Sequence, residues 1–125
     1  MKYKLTDEKI DYYGRTLYRI QALKDFGDVK AGDLGGWVEN VENLSQEGAC
    51  WVYDSAKVCD SAKVYDSAKV CGSAKVCGSA EVYGSAKVCG SAGVCGSAQV
   101  FGSAKVYGSA EVYGYARVYP QTQVS

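Results

Sequence analysis

The residues of this 125-residue chain with most chemistry to offer are its six cysteines, at 50, 59, 71, 77, 89 and 95. Their spacing argues against a metal site: no Cys-x-x-Cys pair occurs, and the chain has no histidine to complete a ligand set. The serines are no better placed for nucleophilic catalysis, because Ser55, Ser61, Ser67 and their successors recur without a base to activate them. Glycines stand singly every six residues, unlike a phosphate-cradling loop. Threonine, at positions 6, 16 and 122 only, is too sparse for the flat ladders of an ice-binding surface. The residue types therefore point away from catalysis and cofactors and towards contact surfaces.

What positions these residues is a six-residue beat. Valine recurs at every sixth position from Val52 to Val124, in a phrase that reads Val-Tyr/Cys-Asp/Gly-Ser-Ala-Lys. A small residue two before each valine and a long polar one between them, as in Ala62-Lys63-Val64, make an in-out-in alternation. That is the pattern of a short strand with one buried face, and a period of six does not suit a helix. Two residues after each valine stands Asp54, Asp60 or Asp66, and then glycine from Gly72 to Gly114. Both types tolerate positive φ, so the chain is expected to turn a corner there. One hexad cannot bury its own apolar face, so the strands must stack on copies of themselves.

These hexads resemble the hexapeptide-repeat family of left-handed parallel β-helices. The resemblance implies an all-β solenoid with three hexads per turn, so that residues eighteen apart lie one above another. The front of the chain sharpens it: the run from Asp25 through Gly36-Trp37-Val38, then Asn43-Leu44-Ser45-Gln46 and Cys50-Trp51-Val52-Tyr53-Asp54, looks like the opening of an uncharacterised bacterial and prophage group. Some members of that group carry a transferase label, and the resemblance implies a phage or prophage setting. Acyltransferases of the wider family commonly use a histidine base, and its carbonic anhydrases use three histidines on zinc. Neither set can be carried onto a chain without histidine.

With three hexads per turn, the position after valine sorts into three columns. One holds Tyr65, Tyr83, Phe101 and Tyr119; a second holds Cys59, Cys77, Cys95 and Tyr113; the third holds Tyr53, Cys71, Cys89 and Tyr107. The aromatic column is either a partner-binding strip or a lacing that steadies the stacked strands. Lys69, Lys87 and Lys105 stack on a different side, where like charges want solvent or an acidic partner. Disulfides between stacked cysteines look barely feasible with parallel side chains, and reduced thiols are expected.

Residues 1–28 read as a β-hairpin-like cap, residues 29–51 as an irregular first part of the solenoid, and residues 52–125 as the regular coil. Strands are expected at 2–5 and 16–23, with a two-residue insertion between Leu44 and Val52. Trp37 and Trp51, each preceding an inward valine, should face out of the coil beneath the cap. At the far end Pro120 and Gln121 replace the corner glycine and serine, and the chain stops at Ser125 without a second cap. Self-association through that end or a prism face is therefore expected.

Fourteen basic residues balance fourteen acidic ones, so no strong pull on nucleic acid or membrane is expected. Without the apolar run of a secretory signal near Met1, cytoplasmic residence is expected. The functional expectation is a non-enzymatic solenoid that presents a rigid face, at Tyr65, Tyr83, Phe101 and Tyr119 or at Lys69, Lys87 and Lys105, to a protein partner. A host-defence or nucleic-acid-processing machine is one such partner. A self-assembling structural element and an acyltransferase relative are the alternatives, and no cofactor is expected.

Overall fold

Each hexad folds as one bend and one short strand, because its third residue takes the left-handed backbone conformation. Asp54, Asp60 and Asp66 hold φ of 57°, 61° and 62°, and the glycines that follow in this slot, from Gly72 to Gly114, hold 62° to 72°. A computed structural model describes all of residues 1–125. At Gly72 a side chain would be strained twice over: φ is 65°, and an added Cβ would lie 2.9 Å from the Gly90 carbonyl oxygen of the coil stacked against it. The three aspartates use their carboxylates across the coils, accepting from the N–H groups of Gly72, Gly78 and Gly84 at 3.0, 2.9 and 3.0 Å.

The coils are joined by a repeating set of backbone hydrogen bonds. On one rung Lys69 N–H donates to Ala86 O at 2.9 Å, Cys71 N–H to Val88 O at 2.8 Å and Ser73 N–H to Gly90 O at 2.8 Å. The bonds satisfy the backbone of strands only two residues long, such as Lys69–Val70 and Lys87–Val88. Alternation then sends alanine and valine inward: from Ala56 to Val106 every one of them is at most 1% exposed. So narrow an interior is filled by small and β-branched side chains.

The result is a parallel β-helix with three sheets along its sides. One side stacks the strands at 63–64, 81–82, 99–100 and 117–118; a second stacks 51–52, 69–70, 87–88, 105–106 and 123–124. The third stacks 57–58, 75–76, 93–94 and 111–112 and continues into the N-terminal segment. Valine partners along every side are eighteen residues apart in the regular part, as in Val58↔Val76 and Val76↔Val94. No helix is long and apolar enough to cross a membrane.

The N-terminal hairpin extends that third side. Strand β1 (Tyr3–Tyr12) pairs antiparallel with β2 (Arg15–Ala22), across a turn in which Tyr13 and Gly14 both have positive φ. β2 pairs antiparallel with β3 (Leu34–Val38), and β3 pairs parallel with Lys57–Val58. The first strand is longer than its apolar start at residues 2–5 suggests, because Lys9 to Tyr12 pair with Arg15 to Tyr18 beyond a bulge.

The insertion lies where the spacing expects it. Val38 and Leu44 stack on Val58 and Val64, an offset of twenty, whereas Val52 stacks on Val70, an offset of eighteen. The extra residues receive the N-terminal strand: Gln46 Oε1 accepts from Lys2 N–H at 2.8 Å and Tyr3 N–H at 3.2 Å. Asn43, 1% exposed, seals the neighbouring corner. Its Oδ1 accepts from Glu39 and Asn40 N–H at 3.0 and 2.9 Å, and its Nδ2 donates to Asp60 O and Ala62 O at 3.2 and 2.9 Å. Trp37 and Trp51 take the outward slot that lysine occupies elsewhere, opposite Lys57 and Lys69, and both are buried under cap residues. Trp51 meets Tyr3 and Phe26 edge-on at ring separations of 6.1 and 5.2 Å, and Arg19 lies 4.5 Å over Trp37.

At the far end the corner changes hands. Proline cannot take positive φ, so the left-handed residue moves from position 120 to Gln121, at 64°.

Candidate functional site

Register brings the four aromatic residues after valine into one line. Val64, Val82, Val100 and Val118 pair strand to strand, and the next residue on each strand projects outward at the edge of that side. Tyr65 and Tyr83 stack with ring centroids 4.9 Å apart and planes within 2°. Tyr83 and Phe101 stack at 5.4 Å, and Tyr119 closes the column edge-on to Phe101 at 5.3 Å. The first three are half-buried by their neighbours, and Tyr119 is 56% exposed. Lys63, Glu81, Gln99 and Arg117 share these strands and surround the rings with mixed charge. Tyr65 donates its hydroxyl to Glu81 Oε1 at 3.1 Å, and partial burial followed by that carboxylate raises its pKa.

Lys69, Lys87 and Lys105 also stand in register, on a second side. The like charges are relieved at one end only. Asp28 lies 3.9 Å from Lys69 Nζ and accepts a 2.7 Å hydrogen bond from the Tyr53 hydroxyl, which with Lys69 holds the Asp28 carboxyl below its usual range. These residues line a shallow groove of about 250 Å³ with Asp54, Cys71, Lys87 and Cys89. The two candidate surfaces thus lie on different sheets and form no common site.

The cysteines depart from expectation. Cys71 and Cys89 are joined in a disulfide, where reduced thiols were expected. The reason is geometric: they occupy outward slots on in-register neighbouring strands, and their Cα atoms lie 4.6 Å apart, within the range that a disulfide spans. Parallel side chains are therefore no obstacle. Cys59 is buried and Cys77 and Cys95 are partly exposed in the equivalent column of the third side, while Cys50 is buried against the N-terminus. The eighteen-residue spacing signals both columns, but nothing in the spacing distinguishes the pair that bonds.

A buried lysine at the junction was not legible as a site residue. Lys2, 1% exposed, donates from Nζ to Cys50 O at 2.9 Å, Gly48 O at 3.3 Å and Cys50 Sγ at 3.3 Å, beneath the Phe26 ring at 4.8 Å. Desolvation lowers the Lys2 pKa and raises that of Cys50. All of these partners are supplied by the junction itself, and the pair has a structural role there. No cluster of three or more acidic or cysteine side chains is arranged to hold a metal ion.

No family model matches the chain. Over 38 residues it is 53% identical to a protein of Escherichia coli (strain K12) named "Uncharacterized acetyltransferase YdcK". The matched stretch covers 30% of this chain and 12% of that protein, so the chain spans far less than the relative's length. The likeness and the stacked coils together support a hexapeptide-repeat β-helix group labelled transferase.

Proposed function

We propose that this chain is a binding module whose solenoid holds Tyr65, Tyr83, Phe101 and Tyr119 as a rigid contact strip for a protein partner. One observation carries the reading: four rings stand in a single line, 4.9 to 5.4 Å apart, with the terminal ring mostly exposed. Aromatic side chains supply large area with few torsions to freeze, and the mixed charges beside them form a polar rim. Stacking on hydrogen-bonded coils fixes the rings before a partner arrives, which reduces the ordering cost of association. The resemblance to a prophage group favours a host-defence or nucleic-acid-processing protein as that partner, met in the host cytoplasm. The lysine ladder at Lys69, Lys87 and Lys105, on a different sheet, is the alternative contact surface and would take an acidic patch in place of the strip.

The test is a paired affinity capture from bacterial lysate. The parent is expected to retain a discrete partner that a Tyr83→Glu/Phe101→Glu variant, shown by circular dichroism to remain folded, does not. Equal retention by both rejects the strip, and concentration-dependent growth of the chain alone in light scattering, with no foreign partner, favours a self-assembling element instead.

A second reading, acyl transfer, is favoured by the similarity to YdcK. Against it stands a chain without histidine to serve as general base. Calorimetric titration with coenzyme A decides it: saturable binding supports transfer, and its absence removes that reading.

A further inference from the structure

The column Cys59, Cys77 and Cys95 repeats the arrangement that already produces a disulfide elsewhere in the same molecule. Val58, Val76 and Val94 pair in register on adjacent parallel strands, so the next residue of each occupies the same outward slot. Val70 and Val88 pair in the same way, and the cysteines after them, Cys71 and Cys89, are bonded. The third side therefore offers the same strand spacing twice over, with Cys77 at its centre. The outer members differ in access. Cys59 is 3% exposed and packs with Leu17 and Trp37 beneath the hairpin, while Cys77 and Cys95 are partly open to solvent.

We propose that this column is a redox-active site in which Cys77 attacks low-molecular-weight disulfides and Cys95 resolves the product. The neighbouring Cys59 thiol, and to a lesser degree Cys95, favours the Cys77 thiolate over the opposing desolvation and the nearby Asp60 carboxylate, and the Cys77 pKa falls below that of an ordinary thiol. Those of Cys59 and Cys95 rise. Arg15, ion-paired with Asp60, adds a positive charge beside the column.

In the first step the Cys77 thiolate attacks one sulfur of a disulfide RSSR, forming a Cys77–SR bond and expelling RS⁻. Cys95 then loses its proton to solvent and attacks the Cys77 sulfur, forming the Cys77–Cys95 bond and expelling the second RS⁻. Two electrons pass from the two protein sulfurs to RSSR, and the two thiolates released take up the two protons. Cys59 remains a thiol under the hairpin.

Oxidised glutathione is the probe. The full chain is exposed to glutathione redox buffers, quenched with N-ethylmaleimide under denaturing conditions so that buried thiols are also trapped, and mapped by tandem mass spectrometry. The expected map links Cys77 to Cys95 and leaves Cys59 alkylated. A Cys95→Ser variant should trap glutathione on Cys77, and Cys77→Ser should abolish both products while circular dichroism stays that of the parent. At pH 7 Cys77 should alkylate roughly fivefold faster than Cys95, after the lower nucleophilicity of a more acidic thiol is allowed for. Glutathione trapped on Cys95 or Cys59 in preference to Cys77, or a Cys77 that stays alkylatable throughout the redox series, overturns the proposal.

Discussion

The regular coil and the N-terminal junction are held together in opposite ways. In the coil the rungs share one set of backbone bonds and one alanine–valine core, repeated from turn to turn. At the junction the bonds come from residues that occur once in their role: Lys2, Tyr3, Asn43, Gln46 and Trp51. The Tyr3 hydroxyl donates to Leu44 O at 2.6 Å, and its ring leans on Trp51. Redundancy spreads stability along the coil, whereas the junction concentrates it in a few large side chains.

Side-chain truncation should expose that contrast most strongly. Trp51→Ala is expected to cost about 3–5 kcal/mol, because it empties the space between Tyr3 and Phe26, while Val82→Ala in the coil costs about 2 kcal/mol. Urea unfolding of the two variants measures both, and equal costs would erase the distinction. Glycine replacement sharpens it within the coil. Gly84→Ala places a Cβ 2.7 Å from Gly102 N at a φ of 69° and should cost roughly 1–3 kcal/mol, whereas Gly93, with open space around its Cβ, should accept alanine with a small gain.

The pH dependence tests the junction by a smaller effect. Burial raises the Tyr3 pKa above the ordinary 10.0, so the unfolded chain releases that proton first. The Tyr3 contribution is therefore complete below pH 10.0 and falls as pH rises beyond it. Lys2 acts in the opposite sense: its lowered pKa makes its contribution grow as pH rises towards the ordinary 10.5. Unfolding free energies measured by urea from pH 8 to 11 should fall less steeply above pH 10 for Tyr3→Phe than for the parent, by roughly 1 kcal/mol per pH unit. Parallel profiles would count against a buried, protonated Tyr3. The smallest effect belongs to the lysine ladder. Lys87→Glu, which breaks the run Lys69, Lys87, Lys105, should stabilise by about 0.3 kcal/mol at low salt and by less at high salt.

Legibility in the sequence follows the same division. The valine beat, the small residue before it and the corner residue after it are local facts repeated many times, and they specify coil, register and columns together. The offset at Leu44 was readable because it interrupts that beat. The disulfide was not, because Cys71/Cys89 and Cys77/Cys95 share one spacing and differ only in their surroundings. Nor were the roles of Lys2 and Asn43, whose distant partners lie between 17 and 48 residues away and follow no period. The aromatic column was legible as a line of rings, yet whether rings in a line lace the coil or meet a partner is a matter of what touches them.

Photocrosslinking addresses that question most directly. p-Benzoylphenylalanine is placed at position 101, within the aromatic column, or at position 107, in the neighbouring column beyond Cys89, and each chain is irradiated in bacterial cells. A discrete adduct to one foreign protein from position 101 and none from position 107 is the predicted result. An adduct from position 107 alone, or none from either, would contradict the claim that the column is a contact strip.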